Sequence, residues 1–209
     1  MSTHAIDREI DPAPAPASAR AVTSISDPAP LGLAAFALTT FVLSSFNAGL
    51  VSATAEGVVL GLALFYGGIV QVFAGLWEFV KGNTFGSAAF CSYGAFWMAF
   101  WYLVAHVDMS EAGADAKKGV GLFLLGWTIF TLYMTIAAYR TTSALFGVFV
   151  LLSLTFISLT AADLGGIPSL TRIGGWLGLL TAFGAWYCAA ASVINATWKR
   201  TVLQVGPRS

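Results

Sequence analysis

Residues 28–55 read PAPLGLAAFALTTFVLSSFNAGLVSATA, 28 consecutive positions without Asp, Glu, Lys or Arg. Five more charge-free windows follow: residues 57–77 (21 positions), 82–107 (26), 119–139 (21), 141–162 (22) and 173–198 (26). An α-helix needs about 20 apolar residues to cross a hydrocarbon core about 30 Å thick. All six windows are long enough. Lipid offers no hydrogen-bond partner to a peptide group, so each window must form a helix or join a closed barrel. The apolar residues run continuously and do not alternate, which excludes barrel strands. The reading is an all-α integral membrane protein of six spans, at Leu31–Val51, Gly57–Val80, Gly86–Val107, Gly119–Ala138, Ala144–Ala162 and Ile173–Thr197.

Composition agrees. The chain is 57% hydrophobic and 10% charged, against roughly 25% charged in soluble domains. Ten basic and ten acidic residues balance, so no basic excess points to nucleic acid. Cys91 and Cys188 lie inside apolar runs and read as buried free thiols.

Residues 1–26 carry charges and a Pro-Ala repeat that cannot build a core, and are expected as a disordered cytoplasmic tail. Residues 27–203 form the six-helix domain, and residues 204–209 a short cytoplasmic tail. An even number of spans puts both termini on one side. That side holds Arg8, Arg20, Lys81, Arg140, Lys199, Arg200 and Arg208; the other holds Lys117, Lys118 and Arg172. The bias places both termini in the cytoplasm of a multi-pass protein of the plasma (inner) membrane. Trp101, Tyr102 and Trp198 suit interfacial anchors.

Within the first span, Phe36, Thr40, Ser44 and Asn47 share one helical face. Polar groups in a span face the bundle interior or a water-filled path. Two readings stay open: the stripe meets a solute, or its hydroxyls bond their own backbone while Asn47 joins helices. Gln71 in the second span needs a partner or water. Glu78 sits near a helix end, three residues before Lys81, and local pairing is favoured over a role in a path. Gly57/Gly61 and Gly174/Gly178 read as small-xxx-small packing pairs. His106 and Asp108 alone make no metal site, which takes three or four ligands. No catalytic residue, metal or cofactor is expected.

The segment Asp27, Pro28, Ala29, Pro30, Leu31, Gly32, Leu33 is a capped helix entry in its own right, with Asp before an early Pro. It also resembles the NPAPLGL signature of the acetate uptake transporter family, which includes the succinate–acetate permeases. The likeness continues through FYGGIVQVFAGLWE at 65–78, KGNTFG at 81–86, SYGAFW at 92–97 and GGWLG at 174–178. At position 27 the family has Asn. The resemblance implies a homo-hexamer with a pore in each protomer, passing acetate, similar small carboxylates and in some members succinate. It leaves anion channel and proton-coupled permease both open. It implies a hydrophobic gate at Phe36, Tyr93 and Leu154, with Thr155 and Ala185 as further pore positions. A Tyr93 hydroxyl at such a gate could donate to a passing carboxylate. The alternatives are a membrane-embedded acetate sensor or scaffold without net transport, and, more remotely, a membrane enzyme.

Overall fold

The computed structural model describes residues 25–207. The expected tail therefore lies outside the described residues, apart from Ile25 and Ser26. Among the described residues, six helices are long and apolar enough to span a membrane: α1 (Ala29–Asn47), α2 (Val58–Lys81), α3 (Thr84–His106), α4 (Ala114–Ala138), α5 (Ser143–Gly165) and α6 (Pro168–Trp198). The outer surface is apolar, with residues such as Phe73, Leu122, Ile136, Leu180 and Phe183 exposed, as lipid contact requires.

The ends of the helices differ from the expected spans for local reasons. α1 stops at Asn47 because Gly49 turns the chain with φ of 77°. α3 starts at Thr84, where the Asn83 side chain accepts from Gly86 N–H at 3.1 Å. α4 begins earlier, at Ala114, with Asp115, Lys117 and Lys118 in its polar first turns. α6 begins at Pro168, whose missing N–H costs nothing there. The middle of α2, Phe65–Val70, is a π-helical turn.

The six helices close into a ring. α1 packs on α6, α6 on α5, and α5 on α4; on the other side α2 joins α1 to α3. Between α3 and α4 the joint is aromatic. Phe96 meets Phe123 and Trp127 at 5.6 and 5.3 Å between centroids, and Tyr93 meets Phe130 at 5.2 Å. Stacked and edge-on pairs of this kind favour defined geometry over a greasy slip plane. The α1–α6 joint is the tightest: a Cβ at Gly175 would collide with the backbone at Asn47 and Ala48. Gly174 and Gly178 also sit against neighbours, Leu159 and Ser44. Gly57 and Gly61 face open space within the protomer, so the packing role expected for that pair is absent from this chain's own contacts.

Residues 202–207 do not trail away. The Asn195 side chain accepts from Val202 and Leu203 N–H, and Tyr187 donates to the Gln204 carbonyl. The carbonyls of Val205 and Gly206 accept from Ala144 and Ser143 N–H at 3.0 and 2.7 Å, supplying partners to the first turn of α5.

Candidate functional site: two cavities and the ring between them

Two cavities lie along the inside of the bundle. The larger, about 620 Å³, runs from mid-bundle toward the α1–α2 and α3–α4 connections. The smaller, about 70 Å³, lies toward the start of α1 and the end of α2. Three residues line both: Phe36 from α1, Tyr93 from α3 and Leu152 from α5. All three are buried, and the rings of Phe36 and Tyr93 lie 5.9 Å apart.

Thr40, Ser44 and Asn47 line the larger cavity beyond Phe36, on the same face of α1. Thr155 lines it from α5; its hydroxyl donates to the Leu151 carbonyl at 2.9 Å and lies 3.5 Å from Thr181. The Thr40 hydroxyl from α1 and the Trp97 indole N–H from α3 are buried without a partner, and both residues line the larger cavity. Trp97 was not singled out from sequence, although it follows Tyr93 by four residues and so shares its face. An indole N–H in mid-span with no apolar explanation was the available signal.

Leu154 is not at the constriction. It is 44% exposed on the outer surface and lines neither cavity, whereas Leu152 is buried and lines both. The helical period explains the shift. Leu152, Thr155, Leu159 and Asp163 fall on one face of α5 and all border the larger cavity; two residues further along a helix turns a side chain away from that face. Ala185 is fully buried in α6 and borders neither cavity.

The Tyr93 hydroxyl is also placed differently from expectation. It is 2.9 Å from Thr131 Oγ1 in α4, both groups buried. The ring thus offers the passage an apolar face while its polar end is engaged sideways.

Around the smaller cavity, Gln71 and Glu78 are both fully buried; the two polar atoms of Gln71 have no hydrogen-bond partner, and the Glu78 carboxyl lies beside the Asn83 side chain. Glu78 is thus buried and not interfacial, while the local pairing expected with Lys81 is present as an i,i+3 ion pair. Lys81 lies 3.8 Å from it but points at Asp27, 2.7 Å away. Asp27 also accepts from Ala29 N–H at 3.1 Å, so it caps α1 and ties α1 to α2 at once. Pro28 and Pro30 open the helix, Leu33 lines the small cavity beside Ala29, Gly32 packs under Phe90, and Leu31 faces outward.

At the far end, Glu56 and Asp163 border the larger cavity, and among the described residues no Lys or Arg lines either one. Burial pushes the Glu56 carboxyl above its ordinary range. Asp108, in the α3–α4 connection, is held below its range by accepting from Ser110 N–H at 2.9 Å. Among the described residues no group of three His, Cys, Asp or Glu is placed to hold a metal ion.

The sequence model of the GPR1/FUN34/yaaH family matches residues 8–207. The chain belongs to the GPR1/FUN34/yaaH family. Within the family it is 43% identical to Ammonia transport outward protein 2 of Saccharomyces cerevisiae, over 93% of this chain and 68% of that protein. It is 37% identical to the succinate-acetate/proton symporter SatP of Escherichia coli, over 88% of this chain and 97% of that one. The solved structure of the bacterial acetate channel SatP superposes with a TM-score of 0.81 at 37% identity, covering 88% of this chain and all of that one. GPR1/FUN34/yaaH membership thus accounts for the six-helix bundle and for the motifs that run from Asp27 into α6.

Proposed function

We propose that this protein passes acetate and similar small carboxylates, succinate among them, across a membrane through each protomer. The observation that carries the reading is the pair of cavities meeting at the single ring of Phe36, Tyr93 and Leu152. A short apolar constriction between wider, partly polar vestibules stops free conduction by dewetting and yields to a small solute. The names of the bacterial relatives support the substrate class, and transport is favoured over a sensor or scaffold because the vestibules open toward opposite ends of the bundle. The same relatives speak against a membrane enzyme. The acid test is uptake of labelled acetate into liposomes containing the purified protein; a rate no higher than that of empty vesicles would sink the reading.

The protomer is proposed to assemble as a homo-hexamer in the plasma membrane, with both termini cytoplasmic. The apolar outer surface and the excess of Lys and Arg on the terminal side support this. Native mass measurement in detergent and protease accessibility of the N-terminus check the two points.

A second reading, ammonium passage, is favoured by one observation: Glu56, Asp163 and Glu78 border the cavities and no cationic side chain does. Labelled methylammonium in the same liposomes separates the two.

A further inference from the structure

The ring between the cavities offers nothing to an anion. Phe36 and Leu152 are hydrocarbon, and the Tyr93 hydroxyl is engaged with Thr131. A carboxylate crossing it would shed its water without replacement, which is costly for a charge and far less so for a neutral acid. A proton therefore has to join the substrate before the ring.

The smaller cavity holds the groups to supply one. Gln71 and Glu78 are fully buried and line it together; neither polar atom of Gln71 has a partner, and the Glu78 carboxyl has the Asn83 side chain and Lys81 beside it. Being seven residues apart on α2 they are two turns apart, about 10 Å along the axis. The space, about 70 Å³, is several times the roughly 10–15 Å³ one water needs on this measure. A Cβ at Gly86 would lie 2.8 Å from Glu78 Cδ, so the glycine at that point of α3 leaves the carboxyl its place. The charged groups facing it are few. Lys81 is on the same helix at 3.8 Å, and Asp27, before α1, holds that lysine at 2.7 Å. Asn83, just before α3, sets its neutral side chain beside the carboxyl, α3 itself presents the neutral Tyr93, and α5 presents only apolar side chains.

We propose that Glu78 carries a proton and donates it to a carboxylate held in the smaller cavity by the Gln71 amide. This deepens the carboxylate reading and rests on it. The protonated Glu78 O–H donates to the substrate oxygen while Gln71 Nε2–H donates to the other. The proton passes to the substrate, which leaves through the ring as the neutral acid. Glu78, now a carboxylate beside Lys81, takes the next proton from water on the side of the partly exposed Asp27–Lys81 pair. One carboxylate and one proton cross together, and no net charge moves.

The test uses the full chain in liposomes, with two readouts. Infrared pH-difference spectra of the wild type show the carbonyl band of a protonated carboxyl, which shifts when carbon-13 acetate is added. Glu78→Gln, of nearly equal shape, loses that band. Lys81→Gln, at a partly exposed site, moves the band's pH midpoint upward, because a nearby cation is gone. The second readout is acetate flux under a potassium–valinomycin clamp, which is unchanged by voltage if the passage is electroneutral. A band that persists in Glu78→Gln, a wild type without one, or an unmoved midpoint in Lys81→Gln overturns the assignment. So does wild-type flux that follows voltage. If the band behaves as stated while the wild type passes no acetate, the transport reading fails and the proton site stands.

Discussion

Replacing Tyr93 by Phe isolates a single hydroxyl. The ring keeps its neighbours, because Phe36, Trp127, Phe130 and Phe149 all meet it at 5.2–6.2 Å between centroids. What is lost is the 2.9 Å bond to Thr131. Interhelical hydrogen bonds inside membrane bundles are worth about 0.6 kcal/mol on average and at most about 1.7. The expected loss of stability is of that order, and Thr131→Val in the Tyr93→Phe background adds little further, since its partner is already gone. Flux of labelled acetate should change less than about threefold, since an energy of about 0.6 kcal/mol corresponds to a factor near that. A hydroxyl that bonded the substrate carboxylate would behave otherwise. Hydrogen bonds to charged groups contribute about 1.5–3 kcal/mol, so its removal would slow uptake roughly tenfold to a hundredfold. Thermal denaturation and flux, measured on the two single variants and the double, close the cycle. A tenfold loss of flux in Tyr93→Phe with unchanged melting temperature would refute the sideways placement of the hydroxyl.

Leu152→Ala widens the ring and should raise the butyrate-to-acetate flux ratio about tenfold or more, while Leu154→Ala, on the outer surface, leaves it unchanged; competing uptake of the two acids decides. Gly175→Ala forces α1 and α6 apart and should cost about 1–3 kcal/mol, read as a lower melting temperature. Glu56 holds its proton more tightly when folded than when unfolded, so its contribution is most favourable in acid and declines as pH rises from 4.5 through its raised value. Glu56→Gln should therefore raise the melting temperature at neutral pH and not well below pH 4.5, in a denaturation series across pH.

The spans were legible because a missing charge is a one-dimensional signal: nothing about the partner helix is needed to see that residues 28–55 cannot sit in water. The face shared by Phe36, Thr40, Ser44 and Asn47 was legible for a related reason, since helical period alone groups them. Leu154 came from likeness alone, whereas the helical period links Leu152, not Leu154, to Thr155 and Asp163 on the cavity face. The pairing of Glu78 with Lys81 follows from their spacing, but its burial does not, because depth along a helix says nothing about burial. Its position one turn from the end of α2 suggested water, yet α3 covers it from Gly86. The engagement of Tyr93 with Thr131 joins α3 to α4, and no local pattern announces a pairing 38 residues apart.

The π turn at Phe65–Val70 has a consequence for how α2 tolerates insertion and deletion. Such a turn is an α-helix with one residue too many, and each residue of a helix is worth about 100° of rotation. It acts as a phase shift between two otherwise ordinary half-helices. Shortening it by one residue would restore regular winding and swing Gln71 and Glu78 a quarter-circle or more away from the cavity, toward lipid. The irregular stretch in the middle of α2 thus sets the direction in which its buried carboxyl points.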